Sequence, residues 1–363
     1  MAVPNGFNLE LIQVLFRHGA RSCSKTEATR MSAEHIDQSF QEAVGDAQLT
    51  NYGKSQAYGL GCALRDRYAG FLGAGYRPED VYARSSDYDR TKMSLQLVLA
   101  GLYPPIGHQI WNSELNWMPI PYDYKPIMED ILLVPFFNKR YQQHLSEAFN
   151  SATVQEKLKK IQELSNLLFE SGIITEKKSI SLINALVIFN VSYIYKAQNA
   201  TLPRWCSQNI YDVLKGVYSD YLDIMSMTLE EKKSSGGILI KEFLENFDAD
   251  DQKTNKKKMY LYSGHDFTLA SFINAHTLQY SEYPKFSSAV ILEKLRDTQN
   301  KLYVRILIYN GKEFTTLKLW NHGDLCTINE YLKAVKNVIP TDDDIDSMIN
   351  AGTADFLNVL LNK

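Results

Sequence analysis

Three short apolar segments, each ending in a cluster of charged and polar residues, constrain the fold of this chain most. Residues 9–16 are apolar and rich in strand-forming side chains, and residues 80–83 and 258–262 share this character. The clusters that follow them are RHGAR at 17–21, RSSD at 84–87 and SGHD at 263–266. The pattern predicts three buried strands, each running directly into a polar loop.

Helical patterns alternate with these strands. Apolar residues recur at helical spacing over 51–71 and again over 90–103, which favours a sheet covered by helices. Two further strands are predicted at 289–292 and 302–309, and we expect them to pair as neighbours. The fold class is therefore predicted to be α/β.

The stretch between these halves has a different character. Residues 105–235 begin with a loop rich in proline and aromatic residues, and helical patterns follow at 154–170 and 206–227. We predict that 105–235 form an inserted, mostly helical cap. Residues 1–104 and 236–363 then form the α/β domain.

Composition excludes several classes of protein. The formal net charge is -3, which predicts no nucleic-acid partner, and no apolar run is long enough for a membrane span. The four cysteines lack zinc-site spacing, which leaves one or two disulfides open. Glycosylation sequons begin at Asn190 and Asn199, and the start Met1-Ala-Val-Pro is typical of a mature chain carrying an initiator methionine. We predict a secreted protein.

The three polar clusters are expected to share one site, because ligands of α/β proteins bind where the carboxyl ends of the strands meet. In the first cluster, Gly19 permits a tight turn of the backbone, so that His18 and two arginines, Arg17 and Arg21, can converge. Guanidinium forks and an imidazole converging on one point suit a tetrahedral oxyanion such as phosphate. The predicted partner is a small molecule, either a phosphomonoester or another ligand of this pocket.

These motifs together resemble the histidine acid phosphatase family. The resemblance rests on RHGAR (17–21), ARSSDYDRT (83–91) and SGHD (263–266). It continues through QLTNYG (48–53), GLYPP (101–105), WMPIP (117–121) and LPRW (202–205). It implies the phosphoglycerate-mutase-like histidine phosphatase fold, in which helices flank a central mixed sheet and a mostly helical cap is inserted.

The resemblance also implies a role for each site residue. His18 would attack phosphorus, and Asp266, keeping a proton at acid pH, would protonate the departing oxygen. The phosphoryl oxygens would be bound by Arg17, Arg21, Arg84 and His265. No cofactor or metal is expected, because these residues already supply the positive charge. Asp89 and Arg90 are predicted only to cap or brace the helix after Arg84.

The loop around the first cluster departs from the family pattern. Ala20, Cys23 and Ala47 stand where the family usually has an acidic residue, a proline and a glycine, and residues 24–44 also differ. The chain resembles insect members most, in particular flea salivary acid phosphatase-like proteins, which are associated with binding host mediators such as serotonin and cysteinyl leukotrienes. This resemblance favours a protein that sequesters small mediators in the old pocket. The alternative is an active acid phosphomonoesterase.

Overall fold

The computed structural model describes residues 3–31, 38–174, 179–198, 201–251, 257–278, 280 and 282–356. The strands are β1 (Phe7–Arg17), β2 (Val81–Ser85), β3 (Asp123–Tyr124), β4 (Met259–Gly264), β5 (Ala289–Asp297), β6 (Leu302–Tyr309), β7 (Phe314–Thr316) and β8 (Cys326–Thr327). The first helices are α1 (Lys25–Arg30), α2 (Gln38–Val44), α3 (Asn51–Leu72), α4 (Asp89–Leu102), α5 (Lys139–Phe149), α6 (Ala152–Leu158) and α7 (Lys160–Glu170). The remaining helices are α8 (Leu182–Ala197), α9 (Gln208–Ile224), α10 (Leu229–Lys233), α11 (Gly236–Asp251), α12 (Asp266–Ala275), α13 (Ile328–Val335) and α14 (Asp342–Ala351).

The strands form one mixed sheet, as predicted. Its order is β3-β2-β4-β1-β5-β6-β7, with β8 paired to β6. Strand β1 pairs in parallel with β4, which pairs in parallel with β2, and β5 runs antiparallel to both β1 and β6. The register places Arg17 opposite Gly264. The polar clusters after β1 and β4 therefore leave the sheet side by side.

Both faces of β1 are buried. Leu11 and Leu15 pack in a core with residues of α11 and α12, whereas Ile12, Val14 and Phe16 pack against α3 and α4. A strand covered on both faces reads as a continuous apolar run, which is why residues 9–16 stand out in the sequence. The two helical layers hold the carboxyl end of β1 in a fixed position.

Helix α8 was not predicted from the sequence. It spans the most apolar stretch of the chain, and eleven of its sixteen residues are buried. A helix that is apolar on all sides lacks the amphipathic period by which sequence reasoning recognises a helix. The predicted helix at 154–170 is present but is divided at Lys159 into α6 and α7.

The region 105–235 has two structural parts. Strand β3 pairs with β2 at the edge of the sheet, and Leu132, Leu133 and Val134 belong to a core beside the sheet. From α5 to α9 the helices share a separate core, which includes Leu145, Phe149, Leu164 and Leu214. The helical bundle therefore starts at Lys139. The division at 105 and 235 stays a prediction.

All four cysteines of the chain are free thiols. Cys23, Cys206 and Cys326 are buried, and Cys62 on α3 is half-buried. In the described parts of the chain no helix is long and apolar enough to cross a bilayer.

Protonation of the buried His276 is expected to weaken the fold in acid. Burial lowers the pKa of His276 to about 4, and its ring bonds to the Phe272 carbonyl and the Tyr331 hydroxyl. An unfolded histidine titrates near 6.5, so this stabilisation is present above pH 6.5 and declines as the pH falls toward 4. Urea unfolding should show that His276→Gln loses about 2 kcal/mol less stability than the parent between pH 7.5 and 4.5. An equal loss in both proteins would contradict this assignment.

Candidate active site

The carboxyl ends of β1, β4 and β2 meet through backbone hydrogen bonds. The His18 amide donates to the Gly264 carbonyl at 3.1 Å, and the Ser86 amide donates to the Ser263 carbonyl at 3.1 Å. These two bonds continue the sheet pairing beyond the strands. All three polar clusters predicted from the sequence are therefore neighbours at one edge of the sheet.

The loop after β1 lies directly on the start of α3. A Cβ atom on Gly19 would stand 2.1 Å from the Gly53 carbonyl oxygen, and one on Gly53 would stand 1.9 Å from the Ala20 carbonyl oxygen. Only glycine fits at either position, because both contacts are with backbone. The Gly19 amide also donates to the Ser94 hydroxyl on α4. This packing fixes the backbone that carries His18.

The His18 imidazole carries its unprotonated lone pair on Nε2, where it faces Arg90. Its Nδ1 lies 2.8 Å from the Gly19 carbonyl oxygen, and since a carbonyl only accepts, Nδ1 carries the proton. Nε2 accepts a hydrogen bond from Arg90 Nε at 3.2 Å. Burial, followed by the charges of Arg90 and Arg17, lowers the pKa of His18 well below its ordinary value. The ring is therefore neutral and nucleophilic at Nε2, even in mild acid.

Arg90 stands at the imidazole, whereas Arg84 is the arginine of this motif that we expected to bind the phosphoryl oxygens. Arg84 lies on β2, and its guanidinium binds the buried Asp130 carboxylate at 2.6 Å. Arg90 lies in the first turn of α4 and covers the Tyr88 ring at 4.2 Å. Its role is thus not the helix brace that we predicted. The strand directs Arg84 toward Asp130, whereas the first turn of α4 directs Arg90 of the same motif toward His18.

His265 completes the polar cluster. Its ring centroid lies 5.6 Å from that of His18, and its Nε2 is 2.9 Å from the Ser86 hydroxyl. The ring also meets Tyr88 edge-on at 5.0 Å. Burial and then Arg90 lower the pKa of His265 well below 6.5. The second sequence cluster therefore reaches the site through Ser86, which orients His265.

Asp266 is the most heavily hydrogen-bonded group of the site. Its Oδ2 accepts from Arg17 at 2.8 Å, from the Tyr283 hydroxyl at 2.8 Å and from the Tyr218 hydroxyl at 3.2 Å. Burial alone favours the neutral acid, but Arg17 and the Tyr283 hydrogen bond outweigh it and lower the pKa of Asp266. The resting carboxylate is ionised in mild acid, contrary to the expectation that it keeps a proton there.

Arg17 is enclosed by aromatic rings. Its guanidinium carbon lies 4.1 Å from the Phe286 ring centroid, 5.0 Å from Tyr283 and 5.5 Å from Tyr193. It also donates to the Pro284 carbonyl at 2.7 Å. Burial opposes its charge, but Asp266 outweighs burial and raises the pKa of Arg17. Arg17 therefore remains a cation directly beside Asp266.

Arg21 is engaged by a carboxylate of its own chain. Glu27 on α1 binds it with both oxygens, each at 2.7 Å, and also accepts from the Ser24 amide. Burial favours the neutral acid, but Arg21 and Ser24 outweigh it and lower the pKa of Glu27. A bidentate carboxylate presents the same oxygen geometry as a phosphate edge. Glu27 therefore competes with any oxyanion that approaches Arg21.

Replacing Glu27 by glutamine is expected to tighten phosphate binding. Glutamine preserves the capping interaction with Ser24 but removes the charge that occupies Arg21. The inhibition constant of inorganic phosphate should fall roughly tenfold, since one nearby charge pair in a partly solvated site is worth about 1–2 kcal/mol. Glu42→Gln on α2, which is exposed, is the control and should leave the constant unchanged. An unchanged constant in Glu27→Gln would show that Arg21 does not bind the anion.

Sequence reasoning missed four residues of this site, namely Glu27, Arg90, Tyr218 and Tyr283. Only Arg90 carried a local signal. A cation in the first turn of a helix is repelled by the positive end of the helix dipole. An arginine at that position therefore indicates a functional role. Tyr218 and Tyr283 come from α9 and from the loop before β5, and no spacing in the chain connects them to Asp266.

Fold and site together define the class to which the chain belongs. Residues 8–309 match the profile of the histidine phosphatase superfamily, branch 2, and the chain is a member of that family. It is 34% identical to venom acid phosphatase Acph-1 of Apis mellifera over 95% of this chain and 89% of that one. It is 30% identical to prostatic acid phosphatase of Bos taurus, over 96% and 91% of the two chains.

Solved structures share the fold. A phytase of Klebsiella sp. ASR1 superposes with a TM-score of 0.69 at 15% identity, covering 93% of this chain and 99% of that one. A phytase of Citrobacter braakii gives a TM-score of 0.70 at 15% identity, over 92% and 98%. At this identity the likeness concerns the fold alone. Within the residues described here, no group of three or more His, Cys, Asp or Glu side chains is arranged to hold a metal ion.

Proposed function

We propose that this protein is an acid phosphomonoesterase that works through a phosphohistidine at His18. The observation that carries the proposal is the Nε2 lone pair of a neutral, buried imidazole, presented beside the guanidinium of Arg90 at 3.2 Å. A nucleophile and an anion-binding cation at one point meet the first requirement of phosphoryl transfer. The relatives named acid phosphatase support the same reaction.

In the first step, His18 Nε2 forms a bond to phosphorus while the bond from phosphorus to the ester oxygen breaks. Arg90, together with Arg21 once Glu27 releases it, binds the phosphoryl oxygens and stabilises their charge in the transition state. The departing oxygen takes a proton from Asp266. In the second step water attacks phosphorus as its proton passes to the Asp266 carboxylate, and the bond to Nε2 breaks. Inorganic phosphate leaves as the monoanion with that proton, so that His18 is neutral and Asp266 is ionised again.

The proton that Asp266 donates has to arrive with the substrate. The resting carboxylate is ionised because Arg17 and Tyr283 lower its pKa. A bound phosphoryl group adds negative charge beside Asp266 and raises its pKa. A phosphomonoester below about pH 6 carries one proton of its own, which Asp266 can accept. Binding of the monoanion therefore supplies the general acid, and this explains an acid optimum.

Sequestration of small mediators is the second candidate function, and engagement of Arg21 by Glu27 is the observation that favours it. A site whose arginine is occupied by an internal carboxylate binds phosphate less tightly. The resemblance to flea salivary proteins suggests that such a pocket binds small mediators instead. We also propose secretion, as suggested by the sequon at Asn190 and by the venom origin in the name of one relative.

One experiment separates the two functions. Turnover of p-nitrophenyl phosphate is measured at about pH 5, in the acid range expected from general-acid catalysis, alongside calorimetric titration with serotonin and with a cysteinyl leukotriene. The proposal expects rapid turnover with ordinary saturation. Absence of turnover together with tight mediator binding would contradict the proposed phosphatase activity and support sequestration of mediators.

A further inference from the structure

A cavity adjacent to the phosphate-binding cluster lies between the helical bundle and the α/β part of the chain. Its volume is about 670 Å³. One side is formed by α8 and α9, and the other by the start of α3, the loop before β5 and the β6–β7 turn. We name it the lysine groove. The residues that carry its character are Lys196, Lys215, Lys285 and Lys312, with Tyr52 and Tyr211.

The lysine groove is positive on a chain that is negative overall. Four lysines line it against only two acidic residues, Asp212 and Glu282, whereas the whole chain has a net charge of -3. Lys285 lies 3.8 Å from Glu282. Lys215 and Lys312 are exposed and, within the described part of the chain, neither forms an ion pair. Their charges are therefore available to an anion in the groove.

Aromatic surfaces form the remainder of the lysine groove. Tyr211 lies under the Lys196 ammonium at 4.0 Å, and Tyr52 is 42% exposed at the opposite side. Tyr193, Tyr283 and Phe286 form the inner wall. Flat apolar walls with a few convergent charges are typical of sites that bind small molecules containing a ring.

The inner wall is shared with the catalytic cluster. The same three rings surround the Arg17 guanidinium, and Tyr283 also donates to Asp266. A ring stacked in the groove therefore contacts side chains that hold Arg17 and Asp266 in place. An occupant of the groove can therefore affect the positions of Arg17 and Asp266 through these rings without binding at the phosphate-binding cluster.

We propose that the lysine groove binds a small planar aromatic anion, such as an aryl carboxylate or an aryl sulfonate, at a site distinct from the phosphate-binding cluster. The aromatic walls bind the ring, and the unpaired lysines bind the acid group as mobile point charges. A cationic ring is excluded because the four lysines repel it.

Calorimetry with naphthalene-2-sulfonate tests the proposal on the intact chain. At neutral pH the neutral analogue 2-naphthol should bind at least about tenfold more weakly, and added salt should weaken binding of the sulfonate. The double variant Lys215→Ala/Lys312→Ala should raise the dissociation constant roughly three- to tenfold, since exposed charge pairs are individually weak. Tyr52→Ala should also weaken binding. The control Lys333→Ala/Lys336→Ala removes two exposed lysines elsewhere and should have no effect.

Two further results decide the location. At matched ionic strength, saturating inorganic phosphate should leave sulfonate binding in place. His18→Ala should bind the sulfonate as the parent does, whether or not the protein turns over phosphate esters. Competitive displacement by phosphate would place the anion in the catalytic cluster and overturn the proposal. Equal affinity for 2-naphthol and naphthalene-2-sulfonate, or no change in the double lysine variant, would overturn it as well.

Discussion

Replacing His18 with alanine is expected to reduce kcat for p-nitrophenyl phosphate by roughly 10⁴-fold or more, because removal of a covalent nucleophile leaves only binding and charge stabilisation. The lone pair on Nε2 has no substitute in the site, since His265 Nε2 faces the Ser86 hydroxyl. His108→Ala, at an exposed position outside the site, is the matched control and should retain parental activity.

The covalent intermediate provides a second readout for His18. Rapid quenching into base after mixing with a radiolabelled phosphomonoester should trap label on the parent protein and none on His18→Ala. If His18→Ala keeps more than about a tenth of parental kcat, or still traps label, the nucleophile is a residue other than His18. Loss of turnover with unchanged unfolding in urea would exclude misfolding as the cause.

Exchanging the two arginines of the second motif for methionine is expected to give opposite results. Arg90→Met should lower kcat/KM by about 10²- to 10³-fold with little change in stability, because Arg90 faces the attacking nitrogen. Arg84→Met should leave kcat/KM near the parental value but cost about 3–5 kcal/mol of unfolding free energy. The cost arises because Asp130, which is fully buried, loses the Arg84 guanidinium that it binds at 2.6 Å.

A double variant tests the physical reason for that cost. Arg84→Met/Asp130→Leu removes both buried charges, so it should recover much of the stability that Arg84→Met loses. Activity and urea unfolding are measured on all three proteins. If Arg84→Met were as inactive as Arg90→Met while remaining stable, Arg84 would have to contact the phosphoryl group and the assignment made here would be wrong.

The acid optimum expected of the proposed phosphatase depends on the order in which protons bind. Arg17 and Tyr283 lower the pKa of Asp266, and burial lowers the pKa of His18 and of His265. In mild acid the site without substrate therefore holds an ionised carboxylate and two neutral histidines. Activity then follows the protonation of the substrate as well as that of the protein. The same burial that keeps the histidines neutral weakens the fold as pH falls, so activity and stability change in opposite directions in this range.

The sequence alone was sufficient for the five longest strands of the sheet and for the location of the candidate site. Strands β1, β4, β5 and β6 were predicted within a few residues because strand patterns are local and these strands are buried on both faces. His18 and His265 could be assigned to one site because the carboxyl ends of parallel strands meet. The apolar helix α8 was missed because a uniformly buried helix has no polar face to reveal its period.

Only the tertiary structure decided which side chains surround the imidazole. Arg84 and Arg90 belong to one short motif, yet Arg84 points to Asp130, which is 46 residues away in the chain, and the helix turn brings Arg90 to His18. The engagement of Arg21 by Glu27 likewise depends on how α1 folds back on the loop. Side-chain direction and charge pairing depend on three-dimensional packing, whereas the strand ends that carry these residues are encoded locally.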